Sequence, residues 1–128
     1  MKRTVFIVMF LAGLFLGQAQ DLVKTQIQVL SVIEYKEAIA NNDVQLVDVR
    51  TAKEYLAGHI NQAINIDYFE NETFADSFGK LDMSKPVYIY CRSGKRRKKS
   101  SEKLIEMGFE EIYDLEGGYL AWKSKVDK

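Results

Sequence analysis

Cys91 is the only cysteine in the 128-residue chain, and it stands where an apolar run gives way to a cluster of cations. Val87-Tyr88-Ile89-Tyr90 precedes it and Arg92-Ser93-Gly94-Lys95-Arg96 follows it, before a helical pattern with Leu104, Ile105 and Met107 as apolar positions. Strand, tight loop and helix start, in that order, make an anion site, because unpaired backbone N–H groups and the positive end of the helix dipole converge there. A thiol placed in such a site is favoured in its ionised, nucleophilic form. Ser93 and Gly94 let the backbone turn tightly enough for successive N–H groups to face inward. Arg92, Lys95 and Arg96 raise the potential around a bound anion. Six cations fall within positions 92–99, of which Lys98 and Lys99, with Arg97, are expected on the solvated side of the helix. Buried cysteines are common, but the polar Arg-Ser-Gly that follows Cys91 argues for a reactive thiol in place of an inert core residue.

The other titratable groups offer less. His59, the one histidine, lies in Gly58-His59-Ile60 and is expected to hold structure through a hydrogen bond, not to act as a general base. One cysteine and one histidine fall short of the three or four ligands of a protein zinc site. No Gly-rich nucleotide motif and no Ser-His-Asp arrangement occurs, and no cofactor is expected. Arg50 and Glu54, at helical spacing beside Asp48, are expected to pair as a salt bridge within the scaffold. Trp122 reads as a core aromatic of the last helix.

These residues must be held by a domain of short alternating elements. A lead-in strand is expected around Ile27–Leu30. Ser31 and Glu34 have capping-box form, opening a helix to Ala40 with Ile33, Ala38 and Ile39 on its buried side, before a turn at Asn41-Asn42-Asp43. Val44–Val49 reads as a mostly buried strand. Thr51 and Glu54 form a second capping box, whose helix stops at Gly58. Ala63–Ile66 is the next strand, and Asn71–Leu81 carries a helical pattern with Phe74, Phe78 and Leu81 on one face. After the strand Val87–Tyr90, a helix is expected from about Arg97 to Met107, ended by a left-handed cap at Gly108. A strand at Glu111–Leu115, a turn at Gly117-Gly118 and a helix at Tyr119–Lys125 complete the chain. Strands alternating with helices predict an α/β domain with a mainly parallel sheet. Its site should lie beyond the carboxyl ends of the strands, where Asp48–Arg50, Cys91 and Glu116-Gly117 would meet.

The amino terminus reads differently. A basic Met1-Lys2-Arg3, an uncharged and mostly apolar run from Val5 to Leu16, and small residues at Gly17 and Ala19 have the build of a secretory signal peptide. Cleavage is expected after Ala19 or Gln20, leaving 20–29 as a lead-in and 30–125 as the domain, in the periplasm or secreted, with no stable membrane anchor. Without Lys2 and Arg3 the chain keeps 16 basic against 18 acidic residues, a balance that suggests no nucleic-acid partner. A single cysteine cannot form an internal disulfide, which again points to a reactive thiol.

Taken together, Asp48-Val49-Arg50, Glu54-Tyr55, Gly58-His59-Ile60, Ala63-Ile64-Asn65-Ile66, Tyr90-Cys91-Arg92-Ser93-Gly94-Lys95-Arg96, Leu115-Glu116-Gly117-Gly118 and Trp122 closely resemble a single-domain rhodanese over Leu30–Lys125. The resemblance implies the rhodanese-like three-layer α/β fold, a central mainly parallel sheet flanked by helices. It also implies a sulfurtransferase in which Cys91 takes the sulfane sulfur of a small anionic donor such as thiosulfate as a persulfide. Cyanide, a thiol or a protein acceptor would then remove it. On that resemblance Cys91 is the nucleophile, Arg92, Ser93, Gly94, Lys95 and Arg96 complete a six-member substrate loop, and Arg96 closes it. The chain departs from the family pattern at Gln62, where glycine is usual, and at Arg97, where a small residue often follows the loop and a charge bears on donor preference. Two alternatives stand beside this reading. Cys91, five residues and Arg97 match the bare signature of a rhodanese-fold phosphatase, although Tyr90 and Lys98 replace the residues usual there. A persulfide carrier or partner-binding module would use the same fold.

Overall fold

The computed structural model describes residues 26–40 and 43–126, and of residues 95–97 it describes the backbone only. The expected signal segment, the start of the lead-in and Asn41-Asn42 of the expected turn lie outside the described residues. Among these, no helix is long and apolar enough to cross a membrane.

Ten elements follow one another: β1 (Ile27–Leu30), α1 (Val32–Ile39), β2 (Gln45–Asp48), α2 (Ala52–Ala57), β3 (Ile64–Asn65), α3 (Asn71–Phe78), β4 (Val87–Tyr90), α4 (Lys95–Met107), β5 (Ile112–Leu115) and α5 (Gly118–Lys125). The strands form one sheet in the order β1-β5-β4-β2-β3, and every pairing is parallel. The α/β expectation is met. In the register, Asp48 lies opposite both Tyr90 and Asn65, so the carboxyl ends of β2, β3 and β4 finish level with one another.

Period-2 alternation divides the core between the two faces of the sheet. Val47 and Val49, with Val87, Ile89 and Cys91, point to one side and pack with Phe74, Phe78, Leu104 and Phe109. Leu46 and Tyr90 point to the other side, where Val32, Tyr35, Tyr119 and Trp122 meet them. Trp122 is thus the core aromatic its sequence position implied. Tyr35 ties its layer to the central strand: its hydroxyl donates to the Ile89 carbonyl over 3.0 Å.

Both capping boxes form, with Ser31 and Thr51 each accepting from the N–H three residues on, and Glu34 and Glu54 answering the cap. The buried face of α1 differs from the expectation. Val32 and Tyr35 are buried and Ile39 partly so, while Ile33 is 68 % exposed. The Ser31 cap sets the phase of the helix, and positions 32, 35 and 39 then share a side. Expected strand Ala63–Ile66 pairs only at Ile64–Asn65. Leu81 lies past the end of α3 yet still packs on the core. Gln62 stands at φ 72°, the one non-glycine residue with positive φ among those described. That backbone explains why glycine would suit the position, since a side chain in the left-handed region costs roughly 1–2 kcal/mol.

Candidate active site

The loop after β4 is shorter than the helical pattern implied. α4 begins at Lys95, two residues before the expected start, because Gly94 takes φ 107° at the N-cap and turns the chain straight into the helix. Lys95 and Arg96 therefore belong to the first turn of α4, where backbone N–H groups have no partner within the helix. Their side chains are not among those described. The Gly94 N–H donates to Cys91 Sγ over 2.9 Å, so the loop aims a backbone donor at the sulfur. Arg92 and Ser93 are exposed beside it, as are Lys98 and Lys99 further along α4.

Cys91 itself departs from expectation. It has 0 % exposure and belongs to the apolar cluster with Val49, Ile89 and Leu104. The polar residues after it argued against a core position, but strand alternation decides its direction. Cys91 continues the inward row of Val87 and Ile89, and so it is both a core side chain and the acceptor of a loop N–H.

The loop is fixed from the other side of the sheet by α5. The N–H groups of Tyr119 and Leu120 donate to the carbonyls of Cys91 (2.8 Å) and Arg92 (3.1 Å). Two orphan donors of the α5 start thus hold those carbonyls away from the loop interior, and the close approach requires Gly118. A Cβ there would lie 2.6 Å from the Cys91 oxygen and 2.7 Å from the Arg92 carbonyl atoms, at φ 62°. Every clashing atom is backbone, so relief must come from moving the loop. Gly118→Ala is expected to cost about 1–3 kcal/mol of stability. Any reaction that passes through Cys91 should slow by about tenfold to a hundredfold, the scale of a small misplacement of reacting groups. Urea unfolding and steady-state turnover on the same preparation check both.

Below the loop lies a buried ion pair. The Asp48 carboxylate accepts from Arg50 Nη2 at 2.6 Å and from Arg50 Nε at 3.0 Å, and also from the Arg50 backbone N–H at 2.9 Å. The expected partner of Arg50 was Glu54, whose Oε1 instead accepts from the Thr51 N–H and hydroxyl. Burial works against the Arg50 charge, and the hydrogen bonds and charge of Asp48 outweigh it, holding the guanidinium above its ordinary value. Arg50 Nη2 also donates to the Gly58 carbonyl over 2.6 Å, and its guanidinium lies 4.2 Å from the centre of the Tyr119 ring. Tyr90 joins in beside Asp48, its hydroxyl accepting the Ile60 N–H at 3.0 Å. Burial first, and the Asp48 charge next, push its hydroxyl well above its ordinary value, so it stays neutral. One ion pair therefore links the ends of β2, α2 and β4 to α5.

His59 takes the structural part expected of it. Its Nδ1 donates to the Tyr55 carbonyl over 2.9 Å and its ring stacks on Tyr55 at 3.8 Å. No group of three or more His, Cys, Asp or Glu suited to a metal occurs among the described residues. Several supporting residues escaped the sequence reading. Asp114 is buried and accepts the Ser101 hydroxyl over 2.9 and 2.8 Å, which clamps α4 to β5. Two small residues, Ser100 and Ser101, in a helix of long charged ones were the available signal. Tyr90 and Gly118 were visible as strand and turn residues, but their partners are distant in sequence.

A single thiol at the carboxyl edge of a parallel sheet, met by a loop N–H and a helix start, is the arrangement the sequence motifs implied. The family model described as a rhodanese-like domain matches residues 31–125. The chain belongs to the rhodanese family. The thiosulfate sulfurtransferase GlpE of Shewanella oneidensis is 34 % identical over 93 residues, 73 % of this chain and 89 % of that protein. GlpE of Coxiella burnetii is 32 % identical over 95 residues, 74 % of this chain and 86 % of that protein. Among solved structures, a rhodanese-like domain protein from Staphylococcus aureus superposes with a TM-score of 0.65 at 31 % identity, covering 74 % of this chain and 90 % of its own. Cys91–Arg96 follows β4, the central strand of the sheet.

Proposed function

We propose that this rhodanese is a sulfurtransferase that carries a sulfane sulfur on Cys91. The Cys91 thiolate attacks the outer sulfur of a donor such as thiosulfate, the donor's S–S bond breaks, and sulfite leaves with the electron pair. The persulfide then gives its outer sulfur to cyanide or to a thiol, and the thiolate returns. Donor, sulfite and persulfide are all anions, and the Gly94 N–H aimed at the sulfur, with the unpaired N–H groups at the start of α4, stabilises each of them without reorganising. The observation that carries the reading is the Gly94 N–H on Cys91 Sγ, in a loop closed by the start of α4. The relatives named as thiosulfate sulfurtransferases support the same chemistry.

Purified protein treated with thiosulfate is expected to gain about 32 Da on Cys91, the mass of one sulfur in a reversible persulfide. Sulfite should be released in step, and cyanide should discharge the adduct as thiocyanate with ping-pong kinetics. Absence of the adduct with hydrolysis of an aryl phosphate would overturn the reading in favour of the Cys91-x5-Arg97 alternative.

A further inference from the structure

The layer of α1 and α5 carries a cavity that the chemistry of Cys91 does not use. About 390 Å³ in volume, it lies among the end of α1, the segment 59–62 after α2, and Trp122 of α5. Cys91 points to the other face of the sheet. Two residues of the lining stand out. Trp122 is 6 % exposed, and its indole N–H meets no acceptor among the described residues. A buried donor left in that state is costly, and the cavity it borders is where an acceptor can reach it. Gln62 holds its backbone at φ 72°, a conformation that glycine adopts without strain. Its side-chain amide makes no hydrogen bond among the described residues. A strained residue with an unengaged amide, at the rim of a cavity, is a mark of a binding position.

The rest of the lining sets the class of ligand. Lys36 is its one side chain of fixed charge, no carboxylate accompanies it there, and it has no ion-pair partner among the described residues. Asn61 adds a second amide, while Ile39, Ile60 and the Trp122 ring are apolar. His59 borders one side with its Nδ1 already given to the Tyr55 carbonyl. We propose that this cavity binds a small organic carboxylate with a flat apolar body. The carboxylate accepts from Lys36, the Trp122 indole and the Gln62 amide, and the body packs on Ile39 and Ile60. Apolar walls with a few placed polar groups, in a volume of this order, are the usual build of a small-molecule site. An anion is selected because the lining offers donors and a cation but no acid. The site stands apart from the sulfur chemistry and does not depend on it.

Trp122 is the only tryptophan of the chain, so its fluorescence, excited where tyrosine does not absorb, reports on the cavity directly. Titration with 3-phenylpropionate is expected to change that emission saturably, with a Kd on the order of 1 mM for a ligand of this size. The neutral 3-phenylpropan-1-ol should bind about tenfold more weakly. Lys36→Glu should weaken binding of the acid by about tenfold, the scale of reversing one charge beside an anion at a protein surface. Lys80→Glu, past the end of α3 on the other face of the sheet, makes the same charge change away from the cavity and should leave the Kd as it was. Gln62→Gly should weaken binding about threefold to tenfold through one lost hydrogen bond. It should also unfold at no lower urea concentration than the parent, because glycine relieves the backbone; a merely structural Gln62 would leave the Kd unmoved. A response that does not saturate, equal affinity for acid and alcohol, equal losses in the two lysine variants, or an unchanged Kd in Gln62→Gly would each overturn the site. So would inorganic phosphate binding as well as 3-phenylpropionate, since the apolar walls would then contribute nothing.

Discussion

Cys91→Ser is expected to leave a folded protein whose sulfur transfer is lower by roughly 10⁴-fold or more, the scale seen when a covalent nucleophile is removed. Sulfur exchange proceeds by attack of a thiolate on a sulfur–sulfur bond, and a serine hydroxyl stays protonated unless a base removes its proton. The only histidine is stacked on Tyr55 and bonded to its carbonyl, so it is not placed to serve as that base. The fold should tolerate the change, because the serine oxygen can accept the Gly94 N–H that Sγ now accepts. Its own hydrogen, however, enters an apolar cluster with Val49, Ile89 and Leu104, and an unmet buried hydroxyl costs about 1–3 kcal/mol. Cys91→Ala avoids that cost and should be equally inactive. Intact mass after thiosulfate, turnover with cyanide and urea unfolding of both variants separate chemistry from packing. Transfer that persisted in either variant would remove Cys91 from the reaction.

The buried position of Cys91 also shows where sequence reading works and where it stops. Short-range rules held: both capping boxes, the Gly108 cap and the strand before the cysteine are encoded within four residues of where they act. The cysteine loop was legible because one thiol stands among cations. The orientation of that thiol followed from the period-2 row Val87, Ile89, Cys91, a pattern present in the sequence but outweighed there by the polar residues that come next. The partner of Arg50 was misread for another reason. Two local rules competed for Glu54, a capping box with Thr51 and a helical ion pair with Arg50. The cap engages Oε1, whereas Asp48 reaches Arg50 from two residues back with three side-chain contacts. The hold of α5 on the loop lies beyond local rules. Any helix start must place its orphan N–H groups somewhere, but only the closed sheet brings the Cys91 and Arg92 carbonyls to Tyr119 and Leu120.

Asp48→Asn is expected to destabilise the protein by about 3–5 kcal/mol, because it leaves the Arg50 charge buried without a counterion. Arg50 is 5 % exposed and Asp48 0 %, so water cannot replace the lost carboxylate. The asparagine amide also sets one of its donors where Arg50 needs an acceptor. Were the pair worth only what exposed pairs contribute, about 0–1 kcal/mol, the loss in urea unfolding would stay within that range and the account would fail. The double variant Asp48→Asn/Arg50→Met separates charge from architecture. Removing both charges relieves the unpaired guanidinium, so its cost should be less than the sum of the single costs by about 1–3 kcal/mol. Activity should follow a different course. Methionine gives the Gly58 carbonyl at the end of α2 no donor and the Tyr119 ring no cation, and Tyr119 stands at the start of α5, whose N–H groups bind the Cys91 and Arg92 carbonyls. Turnover in the double variant should therefore stay low while stability partly returns. Recovery of both together would mean that the ion pair serves the site only by keeping the domain folded.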